Sequence, residues 1–467
     1  MTNHQLEVPA APADPDRSDD RTARGDVIAI SAALLLVAVA STVGYALLRS
    51  GVPLNLQSPP LFARFVPHVG PGTPFAVTLG ILAVLFAPRL ATRWTWRRLS
   101  SAGAIAAIGW TSSLALIDGW QQGWAGRLAT DTEYLHDLPR IDSVATFLRT
   151  FTTHILDFQP GSWTTHVSSH PPGATLVFIV LQRIGLGGGG WAGALVILVG
   201  STSGIAVCTT IRTLGAPLAS RHLMPFAVFF PGAVWVGVSA DGLFAGVAAW
   251  GIALAVLGSK RGGRTGIAVA GIGGVLLGYT VYMSYGLVLL GVLVLAALML
   301  AGHRRIWLAT AAGAVLVAVA FTQAGFDWLQ GEKLLTQRYY QGVASLRPYW
   351  YFVWANLAAL TLSSGPVVAA GLRRAVVVLM RRKATRDRWG HDREVLVPAL
   401  LSVAAMVGLL IADVTGLSKA ETERIWLPFG FWILAGIALV PKKFLPVALG
   451  VQIAVALLVN HLELTYW

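Results

Sequence analysis

Cysteine and charged residues are both scarce in this sequence. The single cysteine, Cys208, is too little for a disulfide framework or a cysteine-ligated zinc site. Charged residues make up 12% of the chain, against roughly 25% in soluble domains. Apolar residues make up 55%, and the mean hydropathy is +0.65. The composition therefore indicates an all-α polytopic membrane protein.

Familiar catalytic signatures are missing as well. The sequence contains no HExxH, no Walker loop and no GxSxG. Four histidines share one polar loop with several acids: His136, His154, His166 and His170. None of their spacings is diagnostic of a metal-ligand set, so we assign no metal site. A divalent cation held by carboxylates is the alternative that the sequence leaves open.

Apolar runs of nearly bilayer length recur along the chain, and short clusters of Lys and Arg separate them. Such clusters collect on the cytoplasmic side of a membrane. They also account for the net charge of +13 without any nucleic-acid partner. If the short run 173–186 does not cross, every cluster falls on one side. We therefore predict about thirteen transmembrane helices, a cytoplasmic N-terminus, and an interfacial or re-entrant helix at 173–186.

The same pattern predicts the domain organisation. Residues 1–26 are rich in Pro, Ala and Asp without periodicity, which is typical of a disordered tail, here cytoplasmic. Residues 27–467 are expected to form a single transmembrane catalytic domain in the plasma membrane. Its large polar loop, 118–190, is expected on the exterior face, where it would bear short interfacial helices and the active site.

The exterior loop carries two acids in the element Asp131-Thr132-Glu133-Tyr134. A carboxylate can remove the proton from a sugar hydroxyl as that hydroxyl attacks. It can also hold a divalent cation against a phosphate. Residues two apart do not share a helix face, so we expect one acid to act and the other to be structural. Asp131 is the first choice for the base, and Glu133 is the second.

Two further elements are expected on the same face. His170 precedes a Pro-Pro-Gly helix start, and a helix N-terminus beside a donor side chain suits a phosphate. Asp241 lies between two apolar runs, where an acid is costly and is a functional candidate by default. Asp241 could also cap the helix that follows it. Both roles can hold together.

Arginines complete the set of candidates. Arg424 begins a late exterior-side helix, where its guanidinium could bind a lipid phosphate. It could instead pair with Glu421 or Glu423. Arg338 and Arg347 belong to another expected exterior segment, and either could help to neutralise a phosphate.

The order of these elements resembles the GT-C superfamily of polyprenyl-phosphate-sugar glycosyltransferases. The matching elements are Asp131-Thr132-Glu133-Tyr134, Ser169-His170-Pro171-Pro172-Gly173, Val238-Ser239-Ala240-Asp241 and Glu423-Arg424-Ile425-Trp426-Leu427-Pro428. They also look like an actinobacterial group that includes a methylthioxylose transferase acting on lipoarabinomannan. The sequence departs from the superfamily in reading Asp-Thr-Glu rather than Asp-Glu, so which acid corresponds is open.

The resemblance implies an inverting membrane glycosyltransferase. The donor would be a sugar on a polyprenyl phosphate, and the acceptor an envelope glycan or glycolipid. Asp131 or Glu133 would then be the catalytic base. Substrate and phosphate contacts are expected from Tyr134, His170, Asp241, Arg338, Arg347, Glu423 and Arg424. The alternatives are a transporter or flippase of a lipid-linked sugar, and an assembly partner of another envelope enzyme. Crowding of the acids at one interface argues against transport, since transporters keep charged groups near the midplane.

Overall fold

The computed structural model describes residues 15–384 and 392–466, with side chains from 23 to 381 and from 392 to 466. Most of these residues are helical. The first helices are α1 (Pro15–Arg49), α2 (Thr73–Arg93), α3 (Trp96–Ala115), α4 (Tyr134–Asp137), α5 (Val144–Thr150), α6 (Thr165–Ser168), α7 (Pro172–Arg183), α8 (Gly189–Gly200), α9 (Ser203–Thr213), α10 (Pro217–Val228) and α11 (Ala233–Val236). They are followed by α12 (Ala240–Arg261), α13 (Gly263–Met283), α14 (Gly291–Ala301), α15 (Arg304–Gln323), α16 (Trp328–Gln341), α17 (Tyr349–Ser364), α18 (Val367–Ala384), α19 (Arg393–Val414), α20 (Thr422–Ile425), α21 (Leu427–Ile433) and α22 (Leu445–Leu462).

One short π-helical segment, seven short 3₁₀ segments and two strands complete the secondary structure of the described residues. The segments are Gln121–Ala125, Arg127–Ala129, Leu138–Arg140, Phe151–His154, Tyr285–Leu290, Val343–Ser345, Leu434–Leu439 and Lys442–Phe444. Strand β1 (Ala63–Phe65) pairs antiparallel with β2 (Glu463–Thr465) in a two-stranded sheet. This sheet joins the segment after α1 to the last described residues.

Eight helices of the described chain are long and apolar enough to cross a membrane, or nine if the bent pair α17–α18 is one span. The multi-pass membrane fold is thereby confirmed. The expectation of about thirteen spans exceeds this number, because four apolar runs form shorter, interrupted or more polar helices. Those four are α3, α10 with α11, the segment from Tyr285 to the end of α14, and α21 with the segment Leu434–Leu439.

One end of the bundle gathers the basic clusters, and we call it the basic end. Arg221 on α10 donates from Nη1 to the carbonyl oxygens of Ala91 (2.7 Å) and Trp94 (2.8 Å). This contact joins a cluster before residue 173 to one after it. Arg393 at the start of α19 donates to Leu214 in the same way, at 2.8 Å. The clusters therefore share one end, as the charge pattern predicts.

Helix α7 stays at the opposite end, which we call the polar end. At its start, the carbonyl oxygen of Gly173 accepts a hydrogen bond from Tyr279 near the end of α13, at 2.8 Å. At its finish, Arg183 donates to the carbonyl oxygen of Asp142 in the large loop, at 3.2 Å. Both of its ends thus contact the same side of the molecule, and α7 is 12 residues long. Helix α7 is too short to count among the candidate spans, which agrees with the prediction of a helix here that does not cross.

The first helix begins earlier than the sequence indicated. It starts at Pro15, inside the predicted tail 1–26, so residues 15–26 are helical. Asp26 is buried and pairs with Arg373 (2.9 Å) and Arg374 (2.6 Å) of α18. These ion pairs hold the start of the first span against the basic end. Residues 1–14 of the predicted tail lie outside the described residues.

Small residues allow the closest helix contacts in the core. Helices α13 and α15 pack so tightly that a Cβ atom at Gly274 would meet the carbonyl oxygen of Thr310. Gly271, one turn earlier, has its nearest such neighbour, the carbonyl oxygen of Ala309, at 3.9 Å. Close backbone approach through small residues is typical of helices that associate within a membrane.

Candidate functional site

Four segments that are distant in sequence meet at the polar end. They are the loop element at Glu133, the turn α6 with His166, the start of α12 with Asp241, and the turn α20 with Arg424. Each of these four side chains is buried, with 4–5% of its residue surface exposed. Buried charged groups require polar partners, and these four side chains contact one another. We call them the acid–arginine cluster.

Arg424 lies at the centre of the acid–arginine cluster. Its Nη1 donates to Oδ2 of Asp241 at 2.5 Å, and its Nη2 donates to Oε2 of Glu421 at 2.7 Å. Nη2 also lies 3.1 Å from Nε2 of His166. Burial opposes the charge, but Asp241 and Glu421 outweigh it and raise the pKa of Arg424 above its ordinary value. The guanidinium is thus charged and shared between two carboxylates.

The chain conformation before α20 presents Glu421 to Arg424. Ala420 and Glu421 both adopt the left-handed region, with φ of 72° and 63°. Non-glycine residues enter this region rarely and at a cost, and such residues cluster at functional sites. Oε1 of Glu421 accepts from Arg347 at 3.3 Å. One carboxylate therefore bridges two guanidinium groups, which hold the pKa of Glu421 below its usual range despite burial.

His166 fixes the position of the loop element. Its Nδ1 lies 2.9 Å from the carbonyl oxygen of Thr132. A carbonyl can only accept, so Nδ1 carries the proton and Nε2 accepts from Arg424. Burial first, and then the charge of Arg424, lower the pKa of His166 to about 3. The ring is therefore neutral, and its 3.4 Å contact with Oε1 of Glu133 is not an ion pair.

Glu133 is the least satisfied acid of the acid–arginine cluster. Its Oε2 is buried and has no hydrogen-bond partner among the described residues. Burial raises the pKa of Glu133 to about 8, the nearby Asp241 adds to the rise, and Arg424 opposes it. An acid with a pKa near neutrality can exchange a proton with a substrate, which is the property required of a general base or acid.

Aromatic rings cover the acid–arginine cluster on the side of α7. The Tyr134 ring is fully buried, and its centroid lies 6.1 Å from that of His166, 5.9 Å from His170 and 5.3 Å from Phe178. Nδ1 of His170 donates to the carbonyl oxygen of His166 at 2.9 Å, because a carbonyl oxygen can only accept. Burial lowers the pKa of His170, so this ring is neutral as well.

Glu423 faces a different partner from Arg424, although the two are adjacent in sequence. Its Oε1 accepts from the backbone N–H of Phe62 at 2.9 Å, and its buried Oε2 has no hydrogen-bond partner in the described chain. Burial raises the pKa of Glu423 to about 7. Glu423 thus connects α20 to the segment that precedes β1, beside the acid–arginine cluster.

The remaining predicted residues lie around this centre. Asp131 is exposed, and its side chain makes no hydrogen bond or ion pair within the described residues. Arg338 on α16 donates from Nε to Ser168 at 3.2 Å and pairs with Asp157. Arg347 is buried and donates to the carbonyl oxygens of Leu54 (3.2 Å) and Lys419 (2.8 Å). Of the two loop acids, Glu133 is the one that belongs to the acid–arginine cluster, where it contacts His166.

Sequence reasoning singled out most of these residues, and its alternative that Arg424 pairs with Glu421 is confirmed. It named His166 only as one loop histidine among several. The spacing of His166 and His170, four residues apart, was an available signal that both face one helix side. Within the described chain, no group of three or more His, Cys, Asp or Glu side chains is placed to hold a metal ion.

No protein-family model and no curated protein matches the sequence. Among solved structures, the chain is similar to the oligosaccharyltransferase AglB of Archaeoglobus fulgidus in complex with an inhibitory peptide and a dolichol-phosphate, with a TM-score of 0.41 and 10% identity over 74% of this chain and 50% of that one. A second structure, of the oligosaccharyltransferase from Archaeoglobus fulgidus in complex with Zn and sulfate, has a TM-score of 0.40 and is 14% identical. The match covers 78% of this chain and 52% of that one. The chain spans about half the length of each. A likeness this weak does not decide the activity of the chain.

Proposed function

We propose that this protein is a membrane glycosyltransferase that takes a sugar from a polyprenyl-phosphate donor at its polar end. The observation that carries the proposal is the acid–arginine cluster, in which Glu133, His166, Asp241 and Arg424 meet from four distant segments. The same elements carry the resemblance to the GT-C superfamily. A buried charged cluster is costly to a fold, so its assembly beside a polar loop favours a catalytic use.

Glu133 is our choice for the base that deprotonates the acceptor hydroxyl. In its ionised form it takes the hydroxyl proton while the hydroxyl oxygen forms a bond to the anomeric carbon. The bond from that carbon to the phosphate oxygen breaks, and the polyprenyl phosphate leaves with the electron pair. A single displacement of this kind inverts the anomeric centre. Asp131 lies two residues away and is exposed, so a contact with the acceptor suits it better than the role of base.

The arginines differ in how free they are to meet the donor phosphate. Arg424 and Arg347 are buried, and both are engaged by carboxylates or backbone carbonyls. These contacts support positioning roles, with Asp241 and Glu421 holding Arg424. Arg338 pairs with Asp157, whose side chain is 34% exposed, so it can exchange this partner for a phosphate at low cost. Arg338 is therefore the best candidate for the phosphate contact. His170 follows Ser168, the hydrogen-bond partner of Arg338, by two residues and is the second candidate.

The finer identity of the substrates follows the sequence resemblance. We propose a methylthiopentose, or another pentose or mannose, as the sugar and lipoarabinomannan or a related envelope glycan as the acceptor. The reaction would occur on the exterior face of the plasma membrane. The donor lipid would lie between helices of the bundle, with its phosphate at the polar end.

Transfer assays on charge-neutral variants test the proposal. Membranes that contain the full chain are given polyprenyl-phosphate-linked radiolabelled sugars and an envelope glycan acceptor. We expect Glu133→Gln to lower the transfer rate at least 100-fold, because a general base contributes roughly that much or more. Asp131→Asn should retain a substantial rate. Asp142→Asn is the matched control, since Asp142 is exposed in the same loop, outside the acid–arginine cluster.

The outcomes separate the two acids and the function itself. Loss of activity in Asp131→Asn with retention in Glu133→Gln would make Asp131 the base. Wild-type transfer in both variants would overturn the assignment of a loop carboxylate as the base. If no donor is consumed while labelled lipid-linked sugar moves across the membrane of vesicles, the protein is a transporter and not an enzyme.

A further inference from the structure

Three acids of the large polar loop pair with an arginine, and one of them reaches solvent. The side chains of Asp118 and Asp137 are 5% and 0% exposed. That of Asp157 is 34% exposed, whereas its partner Arg338 on α16 is 11% exposed. The outer member of this ion pair is therefore the carboxylate, and the guanidinium lies beneath the surface.

Asp157 belongs to a short loop that is closed at its base. The backbone N–H of Trp163 donates to the carbonyl oxygen of His154 at 2.9 Å. Ile155 and Trp163 are buried on either side of the loop, and residues 158–161 between them are exposed. Asp157 can therefore leave its arginine through a change in this loop alone, without movement of a helix.

Two further contacts turn Asp157 toward α16. Its Oδ1 accepts from the backbone N–H of Phe158 at 3.0 Å, and its own N–H donates to Oε1 of Gln341 at 2.8 Å. Burial opposes the charge of Asp157, but Arg338 and the N–H of Phe158 outweigh it and hold the pKa of this carboxyl below its usual range. Asp157 is thus an anion at neutral pH, and it competes with any other anion for Arg338.

The two partners of Arg338 differ in how easily they are replaced. Nε donates to Oγ of Ser168 at 3.2 Å, and Nη1 pairs with Asp157. Ser168 is fully buried and keeps the guanidinium in place. An ion pair with an exposed member contributes little to stability, and the planar donors of a guanidinium suit a phosphate as well as a carboxylate. The Asp157 side of Arg338 is therefore a position that an external anion can take.

Exposed apolar side chains flank this position. Phe158 is 83% exposed and has a φ of 62°, in a region that bulky residues rarely enter and that is enriched at functional sites. On the other side, Tyr340, Val343 and Leu346 are exposed along the chain that leads to α17. Helix α17 is the first half of the bent pair of membrane helices. An anion position whose apolar surroundings continue to a membrane helix fits an amphiphile with an anionic head.

We propose that Asp157 occupies the position of a lipid phosphate on Arg338, and that the bound lipid displaces it. The phosphate replaces the carboxylate at Nη1, and the lipid chain lies along the exposed apolar side chains toward α17. This inference rests on the proposed function, which supplies a polyprenyl phosphate as the ligand. It adds that the protein carries its own competitor for the donor, so Asp157 weakens donor binding. Free phosphate shares the chemistry of the head group.

Binding of farnesyl phosphate, a short polyprenyl phosphate, tests the proposal by titration calorimetry of the purified full chain in nonionic detergent. We expect Asp157→Asn to bind it about threefold more tightly than the wild type, because an exposed ion pair no longer competes. Arg338→Gln should bind it roughly tenfold more weakly, since a hydrogen bond to a charged group is lost. In the Arg338→Gln background, Asp157→Asn should change the affinity no further, because the competition requires the arginine.

The matched control is Asp142→Asn, because Asp142 is an exposed acid of the same loop outside this ion pair. It should bind farnesyl phosphate as the wild type does. Unchanged or weaker binding by Asp157→Asn, or equal gains in both asparagine variants, would overturn the proposal. Tighter binding of inorganic phosphate than of farnesyl phosphate, lost in Arg338→Gln, would overturn the lipid as the ligand and identify free phosphate.

The binding assay contains neither a sugar nor an acceptor, so it is independent of the transfer assay. Sugar transfer by the wild type together with unchanged binding by Asp157→Asn would overturn the role of Asp157 and leave the proposed function standing. The expected binding changes without any transfer would overturn the proposed function and leave a lipid-phosphate site at Arg338.

Discussion

Glu133 and Glu421 are both glutamates near Arg424, yet their neighbours shift the pKa values of the two carboxyl groups in opposite directions. Glu421 lies between Arg347 and Arg424 and keeps its charge. Glu133 contacts a neutral histidine and leaves one oxygen unpaired among the described residues. Two carboxyl groups whose pKa values are driven apart are a common arrangement for an acid–base pair with separate roles. Glu421 thus orients Arg424, while Glu133 can exchange a proton.

The raised pKa of Glu133 predicts how stability depends on pH. Because the folded pKa is about 8, the folded chain holds this proton more tightly than the unfolded chain does. The wild type therefore loses stability from this group as pH rises from the ordinary glutamate range to about 8. Glu133→Gln removes this loss, so its advantage in melting temperature should grow between pH 5 and pH 8 and then level off.

The comparison needs a carboxylate that lies outside the acid–arginine cluster. Asp142→Asn changes an exposed acid in the same loop, and its melting temperature should follow the wild type at every pH. An advantage of Glu133→Gln that shrinks as pH rises would mean that Glu133 is ionised and stabilised by Arg424 in the folded protein.

At this scale the sequence identifies the kinds of residues and not their pairing. The loop acids, His170, Asp241 and Arg424 stand out because acids and arginines are rare beside apolar runs. The choice between Asp131 and Glu133 depends on which side of an irregular turn faces inward, and residue spacing does not determine that. The role of His166 rests on a contact with Arg424, which is 258 positions away in sequence. Such a contact is a property of the folded chain.

At the scale of helices, interruptions explain why apolar runs and long helices differ in number. The run near 223–238 divides into α10 and α11 around Pro231-Gly232, where proline and glycine break the helical pattern. The run near 425–440 consists of α21 and the segment Leu434–Leu439, which together are too short to count as a candidate span. Hydropathy predicts these segments as apolar, but it does not predict where their helical axes change. The interrupted helix α20 carries Arg424 into the acid–arginine cluster.

The contact between α13 and α15 predicts a difference between two glycines of one helix. Gly274→Ala should destabilise the protein by about 1–3 kcal/mol, because the new methyl group meets the backbone of Thr310, which cannot move aside. Gly271→Ala should be neutral or slightly stabilising, since its Cβ has room and alanine favours the helix. Melting temperatures in the same detergent measure both. Equal effects of the two substitutions would show that this packing is looser than the contact implies.

At the scale of the whole molecule, charge is distributed between two ends. The basic end collects most of the Lys and Arg residues that separate the apolar runs, and the polar end collects the acids and their partner arginines. Because basic residues favour the cytoplasmic side, we propose that the polar end faces the exterior. The sequence predicts this division well, since it depends on residue counts along the chain and not on any particular contact.

Cysteine labelling tests this orientation. In a Cys208→Ser background, Asp142→Cys places a thiol at the polar end and Lys443→Cys places one at the basic end, and both positions are exposed. We expect a membrane-impermeant maleimide to label Asp142→Cys in intact cells and Lys443→Cys only after permeabilisation. The reverse pattern would put the acid–arginine cluster on the cytoplasmic side and contradict the proposed location of the reaction.

The central place of Arg424 also has a consequence for biogenesis. Asp241, Glu421 and His166 all depend on this one guanidinium, and it is synthesised long after the loop and the helix that carry two of its partners. During translation, Asp241 therefore reaches the bilayer at the head of α12 without its counter-ion. The ribosome must add more than 180 residues before the charge can be matched. The insertion machinery, or water at the membrane surface, has to accommodate that acid in the meantime. A chain that stalls before α20 is made would expose the unpaired carboxylate of Asp241 at the membrane boundary to quality-control proteases.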